Sequence, residues 1–163
     1  AIAPSRTSSE TISGENSSDS SSSSTEPGPN ADDAQQTTVD TENFSISLQG
    51  CERAASNVRC NFLVRSNEDM WIRLRRSRVI DISGNEYDSD LIGFGNDEGS
   101  SSVDKQLLEN IPIKASLKFD NFSSQTTQIA VLQVPYSFKL GAAWAGMSSA
   151  TDSVRFTNVT VTN

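Results

Sequence analysis

Residues 44–64, FSISLQGCERAASNVRCNFLV, hold both cysteines of a 163-residue chain and alternate apolar with polar residues on either side of a polar turn. Phe44, Ile46 and Leu48 share one parity, and Cys60, Phe62 and Val64 share one parity of the returning run. A period of two belongs to strands with one buried and one wet face. The stretch therefore predicts a β-hairpin, in which pairing Cys51 with Cys60 sets Arg53 opposite Val58 and leaves residues 54–57 as the turn. Carried on without interruption, that register places Ser45, Ser47 and Gln49 beside Phe62 and Val64 and wastes the apolar set. One extra residue at Gly50 restores it: Leu48 then faces Phe62, Ile46 faces Val64, and both sulfurs join the core face. Glycine is the residue expected at such a bulge because it tolerates positive φ.

The two cysteines admit three chemistries. A metal site needs more ligands than two sulfurs, and a chain with no histidine lacks the common mixed sets. A redox pair is normally closely spaced beside a helix N-terminus, unlike this spacing of nine on a hairpin. A structural disulfide is the favoured reading, with free buried thiols as the remaining one. Adjacent strands bring Cα atoms to roughly 4.5–5.5 Å, within disulfide range. Closing a loop of about ten residues contributes about 2.5–3 kcal/mol by the chain-entropy estimate. A disulfide implies an oxidising compartment, so the expected location is extracellular, cell-surface or periplasmic.

Outward from the hairpin the same period recurs, and strands are expected at 44–51, 58–65, 71–82, 86–95, 111–120, 127–134 and 153–161. The clearest is IPIKASLKF, residues 111–119, where Ile111, Ile113, Ala115, Leu117 and Phe119 alternate with Lys114, Ser116 and Lys118. In the third strand Ile72 and Leu74 share a parity with Ile80 and Ile82, but so do Arg76 and Arg78, which cannot lie unpaired in a dry core. A bulge near Arg75, or a strand that changes sheets there, resolves the conflict. Residues 102–110 are expected to make a helical turn or two between sheets. Seven short strands at this spacing predict an all-β fold, an antiparallel immunoglobulin-like β-sandwich.

The domain division follows composition. Residues 1–42 contain no Phe, Trp, Tyr, Leu, Met or Cys, and Ser plus Thr make up 17 of the 42. Such a segment buries too little apolar surface to offset its ordering entropy and is expected to be a disordered acidic tail or stalk. It carries eight acids against Arg6, a net of -7 out of the chain's -8, so the sandwich at 43–163 is nearly neutral. This balance argues against nucleic acid or an anionic membrane as partner. No run approaches the roughly 18 apolar residues of a membrane span. The opening Ala1-Ile2-Ala3-Pro4 suits the small-residue side of a signal-peptidase cut.

The segments FSISLQGC, VRCNFLV, SRVIDISGNEY, IPIKASLKF and VRFTNVTV resemble the small secreted β-sandwich domains of cyanobacterial exported proteins of uncharacterised function. The resemblance spans roughly residues 43–163 and implies an exported, non-catalytic, immunoglobulin-like module with no catalytic residue to carry over.

Candidate binding residues are few. Arg73, Arg75, Arg76 and Arg78 concentrate four of the domain's twelve bases and form a candidate anion or partner patch. The plainer reading is a solvated edge strand whose arginines pair with Asp81, Glu86, Asp88 and Asp90. Trp71 and Trp144, with Tyr87 and Tyr136, are candidates for stacking on sugar rings. The acidic turns at 81–90 and 96–99 have oxygen ligands for Ca²⁺ but miss the twelve-residue loop pattern, so no metal and no cofactor is assigned. Asn16, Asn43, Asn121 and Asn158 each begin an N-x-Ser/Thr sequon, a candidate glycosylation site. The absence of histidine excludes histidine-dependent nucleophile triads. The expectation is a non-enzymatic secreted or surface module, structural or binding, whose partners are other protein subunits or a cell-surface polysaccharide. Weak alternation at 37–42 gives it an arm that can add a strand to a neighbouring copy, building a homo-oligomer or filament. The alternative is a carbohydrate-binding module for an acidic polysaccharide.

Overall fold

The structure is a computed structural model that describes residues 37–141 and 151–163. Twelve strands form among the described residues: β1 (Thr38–Asp40), β2 (Phe44–Ala54), β3 (Asn57–Ser66), β4 (Met70–Arg75), β5 (Arg78–Asp81), β6 (Glu86–Asp88), β7 (Leu91–Phe94), β8 (Asp97–Gly99), β9 (Ser102–Leu107), β10 (Ile113–Phe119), β11 (Gln128–Leu140) and β12 (Asp152–Thr162). One sheet orders them β2-β3-β10-β7, with β1 on the outer edge of β2 and β8 on that of β7. The other runs from β12 through β11 to β4 and β5, with β9 outside β4 and β6 outside β5. Every pairing is antiparallel except one: Val161 and Thr162 of β12 run parallel to Cys51 and Glu52 of β2 and join the sheets. Four strands on one side and a three-position ladder plus edge strands on the other give the strand order of an immunoglobulin-like sandwich.

The hairpin carries the expected register. Ile46 pairs with Val64, Leu48 with Phe62, Cys51 with Cys60 and Arg53 with Val58, and the ladder shifts between Leu48 and Gly50. Gly50 takes a φ of 152°, a backbone state that side chains rarely adopt. The turn is two residues, 55–56, with Ala55 at a φ of 59°. The cysteines are disulfide-bonded with Cα atoms 4.0 Å apart, and both are buried. Between the sheets Phe62 meets Phe156 at 5.7 Å, and Phe44 meets Tyr136 edge-on at 4.9 Å. Full burial of side chains this size contributes about 1.5–3 kcal/mol each, so the inter-sheet layer dominates stability.

The break at the arginines is a bulge within one sheet. β4 and β5 lie end to end along the same edge of β11, Leu74 opposite Tyr136 and Arg78 opposite Gln133, so three residues face two. The parity change turns Arg76 and Arg78 to solvent and brings Val79 and Asp81 inside, while Ile80 is half-buried and Ile82 is 60% exposed. Of the two expected resolutions near Arg75, the bulge is the one found, and the parity it shifts takes Ile80 and Ile82 off the core face. Buried Ser77 and Ser89 lock the bulge, each donating or accepting through Ser77 N–H to Ser89 Oγ at 2.8 Å and Ser89 N–H to the Ser77 carbonyl at 2.8 Å. Pro135 of β11 sits opposite this gap in the ladder, where its missing N–H costs no hydrogen bond on that side. β11 consequently continues through it to Leu140, beyond the expected end at 134.

Other elements differ from the sequence reading. Residues 102–107 form edge strand β9 and not a helical turn; Val103 and Leu107 face the core while Asp104 and Lys105 engage neighbouring side chains. Ile111 is 52% exposed, and the strand of the IPIKASLKF segment begins at Ile113. Thr38–Asp40 form strand β1 on β2 of the same chain, Val39 opposite Ile46. No helix among the described residues is long and apolar enough to cross a membrane.

Candidate functional site

The outward side chains of the β2-β3-β10-β7 sheet form one cross-strand row. Gly50 pairs with Asn61, Asn61 with Ser116, Ser116 with Gly93, and Gly93 with Glu98 of β8. Small residues at 50, 93 and 116 keep this row low. A Cβ at Gly93 would lie 2.7 Å from Ser116 Oγ, so a side chain there requires that hydroxyl to turn away. Longer residues flank the row, Leu63 and Lys114 on one side and Arg59 on the other. The result is an open trough of about 550 Å³, with Gln49 at one end and Asn96 and Glu98 at the other. A second depression of about 430 Å³ shares Gln49 and Asn61 and reaches Thr160 and Thr162 of β12. Volumes of this size suit small ligands or segments of polymers.

The trough's polar side chains are exposed or half-buried, over a floor that includes buried Phe62 and Ala115. Arg59 and Lys114 have no ion-pair partner among the described residues. Asn61 makes a long 3.5 Å contact to Glu52. The trough thus presents cations, amide groups, a hydroxyl and one carboxylate that its own fold leaves available. Of its residues, the sequence points only to Asn96 and Glu98, as part of the acidic turn at 96–99, because the proximity of the rest depends on the order of five strands.

The arginine cluster is arranged differently. Arg73 makes a two-pronged pair with Asp104 across β4 and β9 at 2.6 and 3.0 Å. That hydrogen bond, opposed by partial desolvation and aided by the carboxylate's charge, raises Arg73 above its ordinary range. Arg75 donates to Ser137 Oγ at 3.0 Å, Arg76 to the Ser89 carbonyl at 3.1 Å, and Arg78 to Glu86 at 2.9 Å. All four are therefore engaged with their own fold.

Asp81 is not an arginine partner. It is 1% exposed and binds its own turn: Ser83 and Asn85 N–H groups donate to Oδ1 at 2.9 Å each, the Asn85 amide to Oδ2 at 3.0 Å, and Thr126 Oγ1 to Oδ2 at 2.8 Å. Burial disfavours its charge, but these hydrogen bonds outweigh burial and hold the carboxyl below its ordinary range. Among the described residues no group of three or more acidic, cysteine or histidine side chains is placed to hold a metal ion.

Of the candidate rings, Trp71 is half-buried and lines a cavity of about 380 Å³ with Gln106, Leu108, Ile111 and Ile113. Tyr136 is buried against Phe44 and presents no free ring face, while half-buried Tyr87 has one face stacked on Phe122 at 4.2 Å. Burial raises the Tyr136 hydroxyl's pKa, with the Asp152 carboxylate's charge and hydrogen bond adding to it. Trp144 and Asn16 lie outside the described residues. Asn43 is half-buried before β2, while Asn121 and Asn158 are exposed with φ of 57° and 56°.

No family model and no curated protein matches the chain. Among solved structures it is similar to the GAE domain of GGA2p from Saccharomyces cerevisiae, at 10% identity and a TM-score of 0.42 over 77% of this chain and 100% of that one. It is also similar to ACE19, the collagen binding subdomain of the Enterococcus faecalis surface protein ACE, at 10% identity and a TM-score of 0.33 over 77% of this chain and 99% of that one. Likenesses this distant carry no argument about role, and the all-β sandwich rests on its own strand order.

Proposed function

We propose that this chain is an exported or cell-surface module with a binding or structural role and no catalytic activity. The observation that carries the reading is the Cys51–Cys60 disulfide on the buried face of the first hairpin. Such a bond persists in oxidising surroundings and is rare where cytosolic reductants act. The Ser/Thr-rich acidic stretch before the sandwich suits a stalk, and the resemblance of FSISLQGC and VRCNFLV to exported sandwich domains supports the same compartment. A membrane-impermeant amine label on intact cells tests it: exposed Lys114 is labelled without lysis if the domain is outside. Labelling only after lysis, with the protein intact in the cytoplasm, overturns it.

Within this reading, a role as an assembly subunit draws support from β1. The arm lies on the edge of β2 through a three-residue pairing, and so short a strand is exchangeable with that of a second copy. Carbohydrate binding draws support from the trough, whose exposed amides and cations suit a polyhydroxylated ligand.

A further inference from the structure

We infer that the trough across β2, β3, β10 and β7 is a binding site for an anionic glycan, a chain of sugars bearing carboxylate or sulfate groups. This rests on the reading of the domain as an exported binding module and names its site and ligand class.

The argument begins with what the face offers. β2, β3, β10 and β7 are hydrogen-bonded to neighbours over the row, so a ligand there meets side chains and not a vacant strand edge. An extended peptide gains its affinity chiefly by adding a strand to an edge, which this surface lacks. The side chains instead offer donors and acceptors at spacings set by the strands: Asn61, Ser116 and Glu98 lie along the row with Gln49 beside its β2 end, successive strands being about 4.8 Å apart. Amides, a hydroxyl and a carboxylate supply the mixed partners that vicinal sugar hydroxyls require.

Charge narrows the class. Arg59 and Lys114 stand on opposite flanks with no ion-pair partner among the described residues, whereas Lys105 and Lys118, on neighbouring positions, are paired with Asp97 and Asp120. Two free cations facing one trough favour an anionic group between them. Glu98 lies at the far end of the trough, and Glu52, opposite Arg59 in the β2–β3 ladder, makes no ion pair with it, so the anion is placed on the trough side of Arg59, toward Lys114. No aromatic ring is exposed on the floor, Phe62 being buried beneath it, so recognition rests on charge and hydrogen bonds in place of ring stacking. Gly93 keeps the floor low beside Ser116, whose hydroxyl lies 2.7 Å from where a Cβ at Gly93 would be.

The test uses the full chain with its disulfide verified by mass. It is titrated calorimetrically with a galacturonate oligosaccharide, dextran sulfate, a neutral dextran oligosaccharide and poly-glutamate. The expected result is binding of one or both anionic glycans that weakens with added salt, and neutral dextran weaker by about tenfold or more. Arg59→Gln and Lys114→Gln each lower that affinity about tenfold without moving the urea midpoint, while Arg73→Gln, on the other sheet, leaves it unchanged. Absence of binding to both anionic glycans overturns the inference, as does wild-type affinity in the two trough variants. Equal, variant-sensitive binding of poly-glutamate also overturns it, in favour of an acidic polypeptide. A disulfide-bonded chain that binds no glycan fails this inference alone; free thiols in the native protein fail the proposed compartment.

Discussion

Gly50 sets the register of the first hairpin, and no atom lies within 4 Å of the position its Cβ would take. Gly50→Ala therefore has room, and its cost is conformational alone, about 1–3 kcal/mol for forcing a side chain into that backbone state. Urea unfolding measures it as a lower midpoint, and an unchanged midpoint contradicts the bulge. Asp81 is the second residue on which the fold turns. Replacing it with Asn leaves a buried carboxylate site without its charge and sets an amide N–H₂ among four donors, a loss of about 1–3 kcal/mol. Its folded pKa lies below its unfolded value, so its contribution is complete above the ordinary carboxylate range of about 3.9 and disappears as pH falls through the folded value. The stability gap between wild type and Asp81→Asn is accordingly expected to be constant near neutral pH and to shrink below about pH 4. A gap that persists unchanged to the lowest pH at which both fold contradicts a charged Asp81.

At the scale of elements, the disulfide holds β2 to β3 at the end of the hairpin that also receives β12. Its removal in a Cys51→Ser, Cys60→Ser double variant is expected to cost about 2.5–3 kcal/mol, seen in the urea midpoint with the fold retained by circular dichroism. The elements legible in sequence are those with one dry face: Phe44, Ile46 and Leu48 against Phe62 and Val64 leave a single register that buries them all, and that register requires the bulge. The arginine break is legible as a bulge or a change of sheet near Arg75, but alternation cannot tell which of the two occurs or on which residue parity switches; it is a bulge, and Ser77, Val79 and Asp81 turn inward. β9 was illegible for a different reason. Its inward residues Val103 and Leu107 are four apart, as on a helix, and the pairs Arg73–Asp104 and Asp97–Lys105 that hold it as an edge strand form only after the chain has folded. β11 was cut short at Pro135, whose tolerance depends on the bulge in the opposite strand.

Residues 1–36 are rich in Ser and Thr and acidic, and β1 is the first described strand of the sandwich. Deleting residues 1–40 removes that strand, and if the arm joins copies, electron microscopy of the full chain shows assemblies that the shortened chain does not form. Assemblies that survive the deletion contradict arm exchange. The trough belongs to this scale too: its side chains come from positions 49, 59, 61, 93, 96, 98 and 114–116, and nothing in their spacing along the chain announces that strand order sets them side by side. The arginine run, conspicuous in sequence, is by contrast engaged within its own sheet. Everything proposed about location rests on the bond between Cys51 and Cys60. The most direct test is the intact mass of the protein taken from its native source and alkylated with and without reductant. The disulfide-bonded module takes up no alkyl group without reductant and two with it; two groups taken up without reductant would contradict both the clamp and the compartment.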